Sequence, residues 1–262
     1  FNTIRINPSV CAGYGADFDG DEMNIFTVQS ILTEIELEHL TNVKSNIISA
    51  KSSLPIVGAV FDAIIAPYNI TKFCDKMDND LIIDLLTSTN LEDYRIMDKN
   101  KNYSGKTFFD LIIPNKISLK NDSVLIKNGK IIEGFIDGKS IKEDKNNTIT
   151  QDVWNIYGPD MTQSIIDNIT KLSINFNLNY GFTISLNDYL IGNEIYKSME
   201  QLFKTKKIEL LYKLTEFENN IINSKNDNFE MDSINLMKTI VPTIGDYIIN
   251  NLNDENNNKI MI

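Results

Sequence analysis

Residues 16–24 read Ala-Asp-Phe-Asp-Gly-Asp-Glu-Met-Asn, and this stretch decides how the rest of the chain is interpreted. Asp17, Asp19 and Asp21 stand at every second position, and Gly20 separates the last two. Three carboxylates this close repel one another unless a cation lies among them. Hard oxygen ligands of this kind suit Mg²⁺, and a glycine with positive φ allows a tight loop in which the three side chains converge. The spacing therefore predicts a magnesium site.

Two other interpretations of the loop compete with a magnesium site. Clustered aspartates are common in acidic turns on a solvated surface, and an EF-hand calcium loop also begins with alternating aspartates. An EF-hand needs Gly at position 6 and Glu at position 12, but counting from Asp17 these positions hold Glu22 and Val28, which excludes it. Apolar residues on both sides argue against a solvated turn and predict strands around the loop over residues 1–29: Ile4, Ile6, Val10, Tyr14, Met23, Ile25, Phe26 and Val28.

The loop resembles the Asn-Ala-Asp-Phe-Asp-Gly-Asp signature of the largest (β′-like) subunit of multisubunit DNA-dependent RNA polymerases. The continuation Glu22–Asn24 resembles the eukaryotic, archaeal and large-DNA-virus branch of that family. One position departs, because Gly15 stands where the family usually has Asn. The similarity is collinear over about residues 3–190 and includes the following motifs: Arg5-Ile6-Asn7, Ile48-Ser49, Ser104-Gly105-Lys106, Ile113-Pro114, Asn128-Gly129 and Gly181-Phe182-Thr183.

The resemblance implies an α+β fold in three parts. Residues 1–66 would be the end of a double-psi β-barrel active-site domain, which carries the catalytic metal loop. Residues 67–190 would form a mixed α/β pore domain, and residues 191–262 a funnel-like domain built on a helical hairpin. The chain begins with Phe1, and a largest polymerase subunit is several times longer, so we expect a fragment, a split-gene product or an excised piece.

The activity implied by the resemblance is that of a DNA-directed RNA polymerase, a nucleotidyltransferase that is inactive without its partner subunits. Asp17, Asp19 and Asp21 would be both the catalytic residues and the metal ligands, and Mg²⁺ would be the cofactor. Glu22 is expected outside the direct ligand set. The implied partners are the second-largest subunit, the remainder of the largest subunit, and the DNA template, RNA transcript and nucleoside triphosphates of the assembled enzyme.

Two alternative functions stay open at this point. One is a diverged, non-catalytic assembly module of a polymerase, against which the intact aspartates argue. The other is a single-chain, silencing-type RNA-dependent RNA polymerase with a similar Asp-x-Asp-Gly-Asp barrel. The Glu22–Asn24 continuation and the Gly181-Phe182-Thr183 motif argue against it.

Composition limits the other possible functions. The chain has 262 residues and a net charge of −11, and it shows no basic stripe interleaved with aromatic residues, so it lacks the usual features of a surface that binds duplex DNA alone. Two cysteines are too few for a disulfide framework or a zinc cluster, and His39 is the only histidine. No apolar run is long enough to span a bilayer, so no membrane association is expected. The resemblance implies an intracellular location: the nucleus, or the cytoplasm or virion for a viral protein.

Periodicity predicts the remaining elements. Ser30 or Thr33 is expected to cap a helix, and residues 55–65 are expected to be buried. Residues 67–190 read as short strands and turns, with a type I′ hairpin at Asn128-Gly129. Four further segments are predicted: surface loops at 98–103 and 143–148, a long amphipathic helix from Asn193, a polar loop over 223–229, and a second helix interrupted by Pro242 and Gly245.

Overall fold

The computed structural model describes residues 3–89, 103–190, 192–223 and 229–251. The chain divides into two compact units between Phe182 and Thr183. The fold is mixed α/β, mostly helical, with one three-stranded antiparallel sheet. The expected α+β class is thus confirmed at this level. No helix within the described ranges is both long and apolar enough to cross a membrane.

The segment that carries the aspartate loop contains helical turns and irregular backbone. A 3₁₀ turn (Pro8–Val10) leads into α1 (Cys11–Tyr14), and α2 (Ile31–Glu36) continues into a π-helical turn (Leu37–Thr41). Residues 16–29 have no regular secondary structure, so the strands predicted over residues 1–29 are wrong for residues 3–29. A strand needs a neighbour that accepts its backbone hydrogen bonds. Between residues 3 and 66, the only β pairing is the isolated bridge between Ile48 and Pro55.

Ser30 begins α2 as predicted. Its side-chain oxygen accepts a hydrogen bond from the Thr33 N–H at 3.2 Å, which satisfies one of the amides that a helix start leaves without a partner. A second 3₁₀ turn follows at Val43–Asn46. The predicted burial of residues 55–65 is confirmed in part: Val57, Ala59 and Ile65 are buried, but Phe61 is 59% exposed, so the prediction is wrong there.

Helices build most of the first unit, so the prediction of alternating strands and turns over 67–190 is wrong for most of that range. The helices are α3 (Asp62–Phe73), α4 (Asn79–Ser88), α5 (Gly105–Phe109), α6 (Gly138–Ile141), α7 (Ile149–Tyr157) and α8 (Pro159–Tyr180). The long helix α8 packs against α3, α4 and α7. Burial explains why weak helix formers are helical here: Phe108, Phe109 and Phe176 are fully buried in one continuous core.

A proline lies inside α3, and a neighbouring helix compensates for it. Pro67 has no N–H, so it cannot donate the usual hydrogen bond to the Ala63 carbonyl four residues earlier. The hydroxyl of Ser173, from α8, donates to that carbonyl at 3.3 Å, and Ser173 is completely buried. The Thr71 hydroxyl donates to the Pro67 carbonyl at 2.7 Å and accepts from the Ile136 N–H at 2.9 Å. These hydrogen bonds tie α3 to α8 and to the end of the sheet.

The predicted hairpin is confirmed. β2 (Val124–Lys127) pairs with β3 (Lys130–Gly134), and β1 (Leu119–Lys120) adds a third strand on the other side of β2. Asn128 has φ 51° and Gly129 has φ 73°, as a type I′ turn requires. The predicted loop at 143–148 is exposed over residues 144–147, whereas Thr148 is buried and caps α7. Residues 98–102 of the other predicted loop lie outside the described residues, and Tyr103, its last residue, is buried, so the prediction of a surface loop is wrong there.

The second unit contains α9 (Leu186–Tyr189), α10 (Asn193–Asn223) and α11 (Phe229–Asn251), and α10 contacts α11. The long helix predicted from Asn193 is confirmed, while residues 224–228 of the predicted polar loop lie outside the described ranges. The predicted interruption at Pro242 and Gly245 is wrong, since α11 continues through both. Pro242 has no N–H, so it cannot donate a hydrogen bond to the carbonyl of Lys238 four residues earlier. Lys238 is exposed, and water can bind this carbonyl instead.

Large apolar side chains are exposed throughout the segment before the core. Ile25 is 71% exposed, Phe26 is 87% exposed and Leu32 is 81% exposed. Others in this set are Ile4, Phe18, Met23, Ile31, Ile35 and Leu40. Leu32, Ile35 and Leu40 follow one another at helical spacing, but no described residue of this chain covers their apolar side chains.

Candidate metal centre

The backbone before the aspartates forms a short, capped helix. Gly15 ends α1 in the left-handed conformation, with φ 60° and ψ 28°. The Ala16 N–H then donates to the Cys11 carbonyl at 3.0 Å, and Cys11 is buried. Gly20 has φ 120°, so the positive φ expected of this glycine is confirmed. The two glycines thus fix where the chain enters the loop and where it bends between Asp19 and Asp21.

The structure brings the three predicted ligand residues together. One carboxylate oxygen from each of Asp17, Asp19 and Asp21 lies within 4.8 Å of the other two. Two hydrogen bonds hold this arrangement: the Asp17 N–H donates to Asp21 Oδ2 at 3.1 Å, and the Asp19 N–H donates to Asp17 Oδ1 at 3.2 Å. Each aspartate therefore takes part in a loop-internal contact with another. Within the described ranges this is the only group of three acidic, histidine or cysteine residues close enough to share one cation.

Asp17 and Asp19 influence each other's ionisation. A hydrogen bond between their side chains raises the pKa of Asp19, and the same bond, with a further one from the Asp19 backbone N–H, lowers the pKa of Asp17. In the metal-free loop Asp19 therefore binds a proton before Asp17 does. A cation that entered the loop would take the place of that proton between the two carboxylates.

The donor set fits Mg²⁺. Magnesium binds oxygen at about 2.0–2.1 Å, so oxygens on opposite sides of one ion lie about 4.1 Å apart. The three carboxylate oxygens all lie within 4.8 Å of one another, so rotation of their exposed side chains can bring them to one ion. All three aspartates are exposed, which leaves coordination positions for water or substrate oxygens. Glu22 is exposed and does not belong to the group of three, and His39 is exposed in the π-helical turn.

Sequence reasoning missed a concave region of the first unit, which we call the lysine concavity. It has a volume of about 470 Å³ and is lined by Lys120, Asn121, Asp122, Lys139, Lys145, Asn146 and Asn147. The lysines come from β1, from α6 and from the loop before α7, with acidic residues between them in sequence. They form no run or periodic stripe, so only the folded chain places them together.

Comparisons with known proteins agree over nearly the whole chain. The family model "RNA polymerase Rpb1, domain 2" matches residues 1–43, and "RNA polymerase Rpb1, domain 3" matches residues 46–189. The chain is 32% identical to DNA-directed RNA polymerase subunit 1 of Acanthamoeba polyphaga mimivirus, an alignment that covers 95% of this chain and 17% of the viral protein.

Cellular relatives give the same result. Identity is 26% to DNA-directed RNA polymerase III subunit RPC1 of Saccharomyces cerevisiae, over 100% of this chain and 20% of the yeast protein. It is 28% to subunit Rpo1N of Methanothermobacter thermautotrophicus, over 84% of this chain and 27% of that protein. The chain thus spans between about a sixth and a quarter of the length of these relatives. The domain 3 match alone covers more than half of the chain, and the aspartate loop lies within the domain 2 match. The chain belongs to the family of the largest subunits of DNA-directed RNA polymerases.

Proposed function

We propose that this chain supplies the metal-binding aspartates of a DNA-directed RNA polymerase catalytic centre. The observation that supports the proposal is the convergence of Asp17, Asp19 and Asp21 in a chain of this family. A solvated acidic turn would let its carboxylates point away from one another to reduce repulsion. Here backbone N–H groups of the loop hold the carboxylates of Asp17 and Asp21, and all three aspartates have carboxylate oxygens within 4.8 Å of one another.

The reaction is nucleotidyl transfer: the RNA 3′-hydroxyl attacks the α-phosphate of a nucleoside triphosphate, and pyrophosphate leaves. Mg²⁺, when bound, would stabilise the developing negative charge and make the 3′-hydroxyl more acidic. The three aspartates hold and orient the ion, and Gly15 and Gly20 fix the loop that presents them. Glu22 acts outside the direct ligand set, through its effect on the loop.

The remaining parts of the enzyme come from elsewhere. The second-largest subunit and the rest of the largest subunit would complete the double-psi barrel around residues 1–66. They would also supply most contacts to template and transcript, as the net charge of −11 suggests. Residues 67–190 act as a pore domain and residues 191–262 as a funnel-like domain through which nucleotides pass. The assembled enzyme works inside the cell: in the nucleus, or in the cytoplasm or virion for a virus.

The test replaces one aspartate in the assembled polymerase. Asp19→Ala should abolish RNA elongation while leaving subunit assembly intact, because removing one of three mutually repelling carboxylates does not destabilise the loop. Glu36→Ala, which removes an exposed carboxylate outside the loop, is the matched control and should retain elongation. If Asp19→Ala still elongates RNA, the aspartates are not the catalytic ligands, and the chain is a non-catalytic assembly module.

A second readout does not depend on activity. Fe²⁺ bound in place of Mg²⁺ generates hydroxyl radicals in the presence of peroxide, and these cut the chain close to the ion. Cleavage mapped near residue 19 in the wild type, absent in Asp19→Ala and retained in Glu36→Ala, would locate the ion in the loop. Cleavage elsewhere, with none near residue 19, would reject the metal assignment even in an active enzyme.

A further inference from the structure

The walls of the lysine concavity are fixed to one another by hydrogen bonds. The Asn147 side-chain amide donates to the Lys120 carbonyl at 2.6 Å, which joins the loop before α7 to β1. The Asn121 amide donates to the Ser140 hydroxyl at 3.1 Å, which joins the turn after β1 to α6. The three lysine-bearing segments are therefore held in place before any ligand arrives, which reduces the entropy lost on binding.

The ammonium groups of the concavity are available to a ligand. In the part of the chain that the structure describes, none of Lys120, Lys139 and Lys145 forms an ion pair or a side-chain hydrogen bond. The neighbouring Asp137 carboxylate is occupied by other donors, since it accepts hydrogen bonds from the hydroxyls of Ser123 and Ser140. Among the residues of the lining, Asp122 is the one acidic residue, against three lysines.

This arrangement contrasts with the rest of the molecule. The chain carries a net charge of −11, yet the residues that line the lysine concavity include three lysines and one aspartate. A volume of about 470 Å³ lies within the range of about 300–1,000 Å³ typical of small-molecule sites. Lysine is a common ligand for phosphate oxygens, as a compact charge on a flexible stem.

We propose that the lysine concavity binds a phosphate-rich anion, of the size and charge of a polyphosphate chain. Lys120, Lys139 and Lys145 would contact successive phosphate groups, and Asp122 would limit the affinity by repulsion. The phosphates could be those of a free nucleotide or those of a single strand, which share this chemistry. The concavity shares no residue with the aspartate loop, so the inference stands independently of the proposed function.

The experiment measures binding to the full chain by isothermal titration calorimetry in metal-free buffer at low salt, where the aspartate loop cannot hold a phosphate through a cation. The two probes are inorganic tripolyphosphate and a short single-stranded RNA. The Lys139→Gln/Lys145→Gln variant should bind the phosphate probe about tenfold more weakly or worse, since removing even one hydrogen bond to a charged group typically weakens binding by about that factor. Asp122→Asn should bind it more tightly.

The matched control is Lys127→Gln/Lys130→Gln, which removes two exposed lysines at the hairpin and changes the net charge equally. It should keep its affinity within twofold, and circular dichroism should show that every variant is folded. If the Lys139→Gln/Lys145→Gln variant, but not the control, binds tripolyphosphate more weakly, the ligand is a free polyphosphate. If it instead loses affinity only for RNA, the ligand is a single strand. Absence of saturable binding by both probes, or equal weakening in the two double variants, would overturn the proposal.

Discussion

The hydrogen bond from Ser173 to the Ala63 carbonyl allows a quantitative test of how this fold accommodates Pro67. Ser173→Ala removes a fully buried hydroxyl without changing the packing volume much, and it leaves the Ala63 carbonyl with neither its helical donor nor a substitute. A buried acceptor without a partner costs about 1–3 kcal/mol. Alanine is the better helix former by about 0.5 kcal/mol, which offsets part of the loss in α8. We expect a net loss of about 1–2 kcal/mol in the free energy of unfolding.

A double-mutant cycle isolates the cause. In a Pro67→Ala background, residue 67 regains an N–H that can donate to the Ala63 carbonyl, so the hydroxyl of Ser173 is no longer needed there. Ser173→Ala should then cost about 1 kcal/mol less than it does in the wild type. The effect of Pro67→Ala itself, which combines a better helix former with lost ring packing, cancels in the cycle.

Urea unfolding followed by tryptophan fluorescence suits this measurement. Trp154 is the only tryptophan of the chain and lies half-buried in α7, so its signal reports on the first unit alone. For a unit of this size, each kcal/mol should also lower the Tm by about 2–4 °C. If Ser173→Ala has the same cost in both backgrounds, the hydroxyl does not compensate for Pro67, and the reasoning is refuted.

Three further predictions concern the core and the loop. In a thermal melt, Gly105→Ala should unfold the first unit or destabilise it severely, because the new Cβ would lie 1.8 Å from the Ile70 carbonyl oxygen. Gly138→Ala is the control: its Cβ would lie 3.5 Å from Ile64 Cγ2, so its Tm should remain close to that of the wild type. Carboxyl NMR titration of the metal-free chain should place the pKa of Asp19 above its ordinary value of 3.8. The Asp17→Asn variant should lower the pKa of Asp19 again. If the pKa of Asp19 is the same in this variant as in the wild type, the two side chains do not share a proton. In the wild type, Mn²⁺ affinity should accordingly fall with decreasing pH as Asp19 takes up its proton. Gly15→Asn should fold normally, since no atom lies within 4 Å of the added Cβ and asparagine tolerates left-handed backbone. In the assembled enzyme, the amide of this asparagine should change the selectivity for ribonucleotides or the rate of elongation. If both the selectivity and the rate stay unchanged, this prediction is wrong.

Local chemistry was enough to predict some elements. The Asn128-Gly129 hairpin, the Ser30 cap and the long helix from Asn193 depend on short-range hydrogen bonds or on helical periodicity, both of which can be read from the sequence. The convergence expected of the three aspartates also depended on local features, namely alternating positions and a glycine between two of them. The structure places their oxygens together, while their occupancy by a metal stays a prediction.

Other elements depended on contacts that the local sequence does not specify. The apolar residues before and after the aspartate loop suit a strand, but the described residues of the chain provide no neighbouring strand to pair with them. Within 67–190, helices such as α5 are short and built from weak helix formers, and burial of Phe108 and Phe109 stabilises them. The lysine concavity was also missed, because Lys120 lies on a different segment from Lys139 and Lys145, and side-chain hydrogen bonds bring the segments together.

The uncovered apolar side chains before the core have a consequence for how cells can make this chain. Ile25, Phe26 and Leu32 present water with a surface that will adhere to other chains at high concentration. A chain that leaves these side chains exposed is expected to be bound by chaperones, to aggregate or to be degraded. Under the proposed function, burial of these side chains in the assembled enzyme would protect the chain from these fates.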